Sequence, residues 1–160
     1  MALAKLLIDL EAMKSRIEPL PCSYYHHREN DGITALREQA IFTVFCRHCE
    51  EGACIRACPK EALKRGEDKI VRRSTMMCVR CNSCVIACPF GTIQEDSIPY
   101  KTSICDFCVG RLRNGEAPIC VEKCTDGSVK FGDFKEDAEK DIYPLGEHVL
   151  VHVKTWKKDS

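Results

Sequence analysis

Residues 78–89, CVRCNSCVIACP, place four cysteines and a closing proline in one short run with the spacing C-x2-C-x2-C-x3-C-P. Two other stretches repeat its outline. Residues 46–59 read C-x2-C-x4-C-x3-C-P, and residues 105–124 read C-x2-C-x11-C-x3-C, with Thr125 where the others carry proline. The fragments CIRACPKEAL from Cys54, CVIACPFGTI from Cys84 and CVEKCTDGSV from Cys120 align, and a CxxC pair precedes each: Cys46/Cys49, Cys78/Cys81 and Cys105/Cys108. This is an internal repeat of one structural unit. The thirteenth cysteine, Cys22 in PLPCSYYHH, stands outside the three groups.

At 160 residues the chain fits one domain or two very small ones. Thirteen cysteines would suggest a disulfide scaffold in a short secreted chain. The opening MALAKLLIDLEAMKSR argues against that context, because Lys5, Asp9 and Glu11 interrupt its apolar run and no small-residue cleavage site follows. No stretch approaches the roughly eighteen apolar residues of a membrane span. The expectation is a cytoplasmic protein whose dense cysteines bind metal. Formal net charge is zero, 24 basic against 24 acidic residues, and no basic tract points to nucleic acid.

Short elements are expected between the motifs. ITALREQAI (33–41) reads as a helix capped near Asn30 or Asp31. FTVF (42–45) alternates and reads as a strand. ALKRGEDKIVRR (62–73) reads as a hairpin turning at Gly66–Asp68, and HVLVHVKTW (148–156) as an alternating strand. The first ten residues fit both periods: Leu3, Leu6, Leu7 and Leu10 suit a helix, LLIDL a strand.

The spacing of 78–89 is the bacterial ferredoxin signature, in which four thiolates hold a [4Fe-4S] cube. Short x2 spacings make a tight loop that presents sulfurs and backbone N–H groups together, and those donors tune the cube. The x3 spacing is one helical turn, which must stop at the Cys-Pro step. In two-cluster ferredoxins the fourth cysteine of each run serves the other cluster. Applied here, one cube takes Cys46, Cys49, Cys54 and Cys88, and its neighbour takes Cys78, Cys81, Cys84 and Cys58. Residues 105–124 taken alone also suit zinc, whose ribbons use two CxxC-type pairs.

Other chemistry is sparse. His26, His27 and His48 read as surface or packing residues. His148 and His152 share a strand face without a supporting partner. Tyr24 and Tyr25 read as packing around a cluster or a subunit contact. There is no Ser/His/Asp set, no GxGxxG and no phosphate loop, so no catalytic residue is assigned. Three oxidised cubes with four thiolates each carry about −2 apiece, bringing the loaded protein to roughly −6. Arg47, Arg56, Lys60, Arg80, Arg111, Arg113 and Lys123 lie in or beside the motifs and would offset that charge.

The order of the three motifs resembles the polyferredoxin electron-transfer subunits that accompany molybdenum or tungsten pterin oxidoreductases and some hydrogenases, over about residues 5–135. The resemblance implies an α+β fold of two ferredoxin-like modules, with four cluster motifs pairing second with third and first with fourth. It would make residues 46–97 a two-cluster module, and residues 1–45 with 98–135 a split module. Residues 136–160 would be an extension carrying a strand. The first motif departs from the family. IDLEAMKSRIEPLPCSYY keeps only Cys22, and the lost positions fall at Ala12, Ser15 and Glu18. One cluster is therefore expected to be missing and three to remain.

The resemblance further implies a non-catalytic subunit relaying electrons to or from a larger pterin subunit, with a ferredoxin or another donor subunit beyond it. Similar short subunits partner tungsten enzymes of the aldehyde:ferredoxin oxidoreductase class. The small iron–sulfur subunit of the ATP-independent (class II) benzoyl-CoA reductase of strict anaerobes is similar in size and in having three clusters. A hydrogenase or formate dehydrogenase partner, or a metal-stapled module without redox function, are the alternatives. The strand at 148–156 reads equally as a docking edge for a partner or as part of its own module.

Cys22 precedes Cys58 by 36 residues, and Cys88 precedes Cys124 by 36. Cys22 thus stands where a fourth cysteine of the first motif belongs. By the exchange rule it would complete the third cube with Cys105, Cys108 and Cys120. Cys124 is the alternative fourth ligand.

Overall fold

The computed structural model describes residues 4–14, 20–24, 27, 29–99, 103–108, 111–113 and 115–154. In sequence order they form β1 (Lys5–Asp9), α1 (Leu10–Met13), α2 (Gly32–Ala40), a π-helical turn (Ile41–Phe45), α3 (Ala53–Arg56), β2 (Leu63–Arg65) and β3 (Val71–Arg73). There follow α4 (Ser83–Ala87), a 3-10 turn (Glu95–Ser97), α5 (Ile119–Glu122), β4 (Val129–Gly132), a 3-10 turn (Ala138–Lys140), β5 (Ile142–Pro144) and β6 (Val149–His152). The content is mixed α and β in short pieces, as the cysteine-rich loops require. The protein divides into two compact units, Met1–Ile33 with Ile104–Ser160, and Thr34–Ser103.

The first unit is built on a four-stranded sheet in the order β4-β1-β6-β5. β1 pairs antiparallel with β4, Ile8 opposite Val129, and parallel with β6, Asp9 opposite His152. The opening segment, which suits either period, becomes a strand because a neighbour on each side takes up its backbone groups while Leu6 and Ile8 are buried. Asp9 ends it. Its Oδ1 accepts the N–H groups of Glu11 and Ala12, both at 3.0 Å, which caps α1.

β6 is the strand expected within 148–156, but its burial does not alternate. Val149, Leu150, Val151 and the following Val153 are all fully buried. A central strand covered on both faces has no polar side to show. His152, expected to lack a partner, has one: its Nδ1 lies 3.1 Å from Asp9 Oδ1. Residues 136–160, expected to be an extension, supply β5 and β6 of this sheet. Thr155 and Trp156 lie outside the described residues.

In the second unit β2 and β3 form the expected hairpin, Leu63 opposite Arg73. Its turn is closed by Lys69 N–H donating to Gly66 O at 3.0 Å and by an Asp68–Arg72 ion pair. FTVF is not a strand. It lies in the π-helical turn that continues α2, with Cys46 N–H donating to Ile41 O at 2.9 Å and Thr43 Oγ1 to Gln39 O at 2.6 Å. A short apolar run has too few residues for its period to decide, and burying Ile41 and Phe42 on the helix side does. Phe42, Leu63, Val71, Ile93 and Ile98 form the core, and Cys46, Cys54, Cys78, Cys84 and Cys88 pack against it.

Candidate metal centres

The repeat recurs in the backbone. In each CxxC loop the residue before the second cysteine is left-handed: His48 (φ +48), Arg80 (φ +52) and Phe107 (φ +55). Such a conformation is uncommon outside glycine. It turns successive N–H groups to one side, forming an anion-binding nest of the kind iron–sulfur sites use. The N–H of His48 points to Cys46 Sγ at 3.4 Å, and that of Phe107 donates to the Cys105 thiol. α3 and α4 start from left-handed residues, Gly52 (φ +55) and Asn82 (φ +59). In the third motif α5 starts from Pro118. α3 ends at Arg56 and α4 at Ala87, so no helix runs into a Cys-Pro step. Three residues past each fourth cysteine the backbone is left-handed again, at Glu61, Gly91 and Gly127 (φ +50, +61 and +69).

Folding gathers the cysteines across motifs. Cys46 and Cys54 both feel Cys88, and Cys46 also feels Cys49. Cys58 lines one cavity with Cys78, Cys81 and Cys84. In the other unit Cys22, Cys105, Cys108 and Cys120 line a cavity of about 330 Å³, walled further by Leu6, Leu20, Phe107, Pro118, Ile119, Phe131 and His148. Cys124 is not in that lining. Its thiol donates to Asp126 Oδ1 at 3.0 Å, and its sulfur accepts Val129 N–H at 3.2 Å. None of the thirteen cysteines is joined in a disulfide.

Burial dominates the thiol energetics. It raises Cys46, Cys54 and Cys84 above the ordinary thiol value. Around the large cavity, burial reinforced by the neighbouring thiols pushes Cys105 up to about 11 and Cys120 to about 12. Cys88 is the exception. Burial opposes its thiolate, but N–H groups of Phe90, Thr92 and Ile93 and the Thr92 hydroxyl outweigh it and lower the thiol. Exposed Cys81 is lowered by the Ser83 hydroxyl and N–H. Desolvated thiols in fours become thiolates only where bound positive charge stabilises them. Four sulfurs around a cavity, supplied with backbone donors, fit a [4Fe-4S] group.

Several polar groups that buttress the sulfurs carry no sequence signature. Asn30 Nδ2 donates to Cys22 Sγ at 3.2 Å, and the Ser23 hydroxyl pairs with Cys108 Sγ at 3.3 Å. The Arg65 guanidinium donates to the carbonyls of Cys49 and Glu50. Arg73, with its side chain 1% exposed, is a hydrogen-bonding partner of Cys78. None belongs to a recognisable spacing; Arg65 ends β2 and Arg73 ends β3.

Among the cations flagged from sequence, Arg111 holds Asp106 through two bonds, 2.5 and 2.8 Å, and covers the Tyr24 ring. Lys60 and Arg80 line the Cys58 cavity. Arg56 pairs with Glu51 at 2.9 Å, and Arg47 lies over the Phe90 ring. Arg113 and Lys123 are exposed. His48 Nδ1 meets Lys69 O at 3.2 Å, the His148 ring packs tilted by 53° against Phe107 with centroids 5.3 Å apart, and His27 is exposed. Ser15, Glu18, Tyr25 and His26 lie outside the described residues. Among the described residues no helix is long and apolar enough to cross a membrane.

A family model described as a 4Fe-4S dicluster domain matches residues 37–134. The sequence is 36% identical over 114 residues to an anaerobic dimethyl sulfoxide reductase chain of Escherichia coli (strain K12), covering 71% of this protein and 56% of that one. It is 39% identical over 107 residues to chlorate reductase subunit beta of Ideonella dechloratans, covering 66% and 32%. It is 37% identical over 101 residues to selenate reductase subunit beta of Thauera selenatis, covering 62% and 31%. The matched region spans about half the length of the dimethyl sulfoxide reductase chain and about a third of the other two. On the match over 37–134 and the motifs it contains, the protein belongs to the 4Fe-4S dicluster domain family.

Proposed function

We propose that the protein is a non-catalytic electron-transfer subunit carrying three [4Fe-4S] clusters. Its ligand sets are Cys46, Cys49, Cys54 and Cys88; Cys78, Cys81, Cys84 and Cys58; and Cys105, Cys108, Cys120 and Cys22. The observation that carries this reading is the gathering of thiols from separate motifs, four of them around the 330 Å³ cavity. When bound, a cube supplies a one-electron store. The protein's own residues would set its environment: left-handed loops aim N–H groups at sulfur, apolar walls exclude water, and arginines offset negative charge.

The partner is proposed to be a larger molybdenum or tungsten pterin subunit. Similarity to a dimethyl sulfoxide reductase chain and to chlorate and selenate reductase beta subunits supports a reductase complex. Within that class, a count of three clusters favours the tungsten enzyme of class II benzoyl-CoA reduction. Anaerobic purification with metal and sulfide analysis tests the reading. About twelve irons and as many sulfides per protein are expected. Zinc in their place overturns it.

A further inference from the structure

Arg73 closes β3 with its guanidinium sealed from solvent. Its Nε and Nη2 hold the Glu38 carboxylate at 2.5 and 2.7 Å, and Nη2 also donates to Pro99 O at 3.0 Å. The same side chain lines the cavity of Cys58, Cys78, Cys81 and Cys84. Glu38 does not. The cavity wall includes Lys60 and Arg80 as well, and among the described residues no carboxylate. The sulfurs thus meet the positive end of a buried ion pair whose negative end lies behind it.

We propose that Arg73 sets the reduction potential of the centre held by Cys58, Cys78, Cys81 and Cys84, raising it by stabilising the extra electron. The proposal rests on the cluster reading above. One electron enters on reduction, no bond forms or breaks, and no proton moves, because arginine stays charged throughout. Adding negative charge beside a cation held in low dielectric is favourable, and burial protects the effect from salt. Lys60 and Arg80 are exposed, so their contribution is screened. Glu38 keeps the guanidinium from being an unpaired buried charge and fixes its aim.

The test is a redox titration of the loaded full-length protein followed by EPR, with iron counted in every sample. The wave of this centre is the one altered in Cys81→Ser. Arg73→Gln is expected to move it to more negative potential, with at least a tenfold change in the reduction equilibrium, about 59 mV for a one-electron couple. Glu38→Gln is expected to move it the opposite way, and Arg73→Lys to restore most of the wild-type value. The Arg73→Gln shift persists at about 1 M salt, whereas a smaller Lys60→Gln shift disappears there. A merely structural ion pair would give Arg73→Gln and Glu38→Gln the same direction of change, and that result overturns the proposal. So does an unmoved wave in a fully loaded Arg73→Gln variant. If Arg73→Gln does not load, the sign of the Glu38→Gln shift decides. A wild-type protein without iron overturns the cluster reading itself and is told apart by the metal count.

Discussion

Asn30 and Cys22 are joined by a hydrogen bond, Nδ2 to Sγ at 3.2 Å, and the same amide grips the backbone of Ile104. Its Oδ1 accepts Ile104 N–H at 2.9 Å, and Nδ2 donates to Ile104 O at 2.8 Å. One buried side chain therefore ties Cys22 to the residue preceding Cys105. Replacing it loses three hydrogen bonds at once. Asn30→Ala is expected to cost about 2–3 kcal/mol in chemical denaturation, and to weaken cluster retention in the unit that holds both cysteines.

Cys22→Ser and Cys124→Ser separate the two candidate fourth ligands. Cys22 lines the cavity with Cys105, Cys108 and Cys120, whereas Cys124 is engaged with Asp126 and Val129. Cys22→Ser is expected to lose or convert one cluster, read as a fall of up to about four irons per protein and a changed EPR spectrum. Cys124→Ser should keep the wild-type count. The reverse pattern would return the fourth position to Cys124.

Asp9 serves as the α1 cap and as the partner of His152. Burial works against its charge, but the N–H of Ala12, His152 and the N–H of Glu11 prevail and lower the carboxyl below its ordinary value. A depressed folded value means that the charged form stabilises the fold above the unfolded carboxylate range and that this is lost as pH falls through the folded value. Asp9→Ala is expected to cost about 1 kcal/mol at neutral pH. The gap between wild type and variant should hold down to about pH 4 and close below it. Denaturation curves across pH 2–7 check the sign.

Leu63 is 2% exposed in the core on which the cysteines of the Thr34–Ser103 unit pack. Leu63→Ala should cost about 2–5 kcal/mol. The same cavity removes support from beneath Cys54 and Cys84, so faster cluster loss on exposure to a chelator should accompany the destabilisation. An exposed Val79→Ala change is the control, expected within about 0.5 kcal/mol of wild type.

Cysteine spacing carried most of what was legible in the sequence, because a cube imposes local geometry that overall composition cannot hide. The recurring left-handed positions at His48, Arg80 and Phe107 are the folded form of the recurring CxxC pairs. The 62–73 hairpin was also readable, since a glycine–acid turn between two short runs is a local signal. HVLVHV was rightly read as a strand, whereas FTVF misled: periodicity registers where apolar residues fall but not how many faces will be covered. Phe42 completes a helix-side core, and β6 lies between two strands with both faces buried.

Short-range chemistry, then, was settled by the sequence itself: which thiols form a motif, where helices must stop before proline, and the family to which 37–134 belongs. Long-range partnership was not. Arg73 is held by Glu38 from 35 residues away, and β1 is a strand because β4 and β6 take up its backbone groups from more than a hundred residues away. Cys22 is tied to the segment of Cys105 through the pairing of Asn30 with Ile104. Such contacts depend on loop closure and shared burial, which no local pattern encodes, and they decide which charges and donors each sulfur meets.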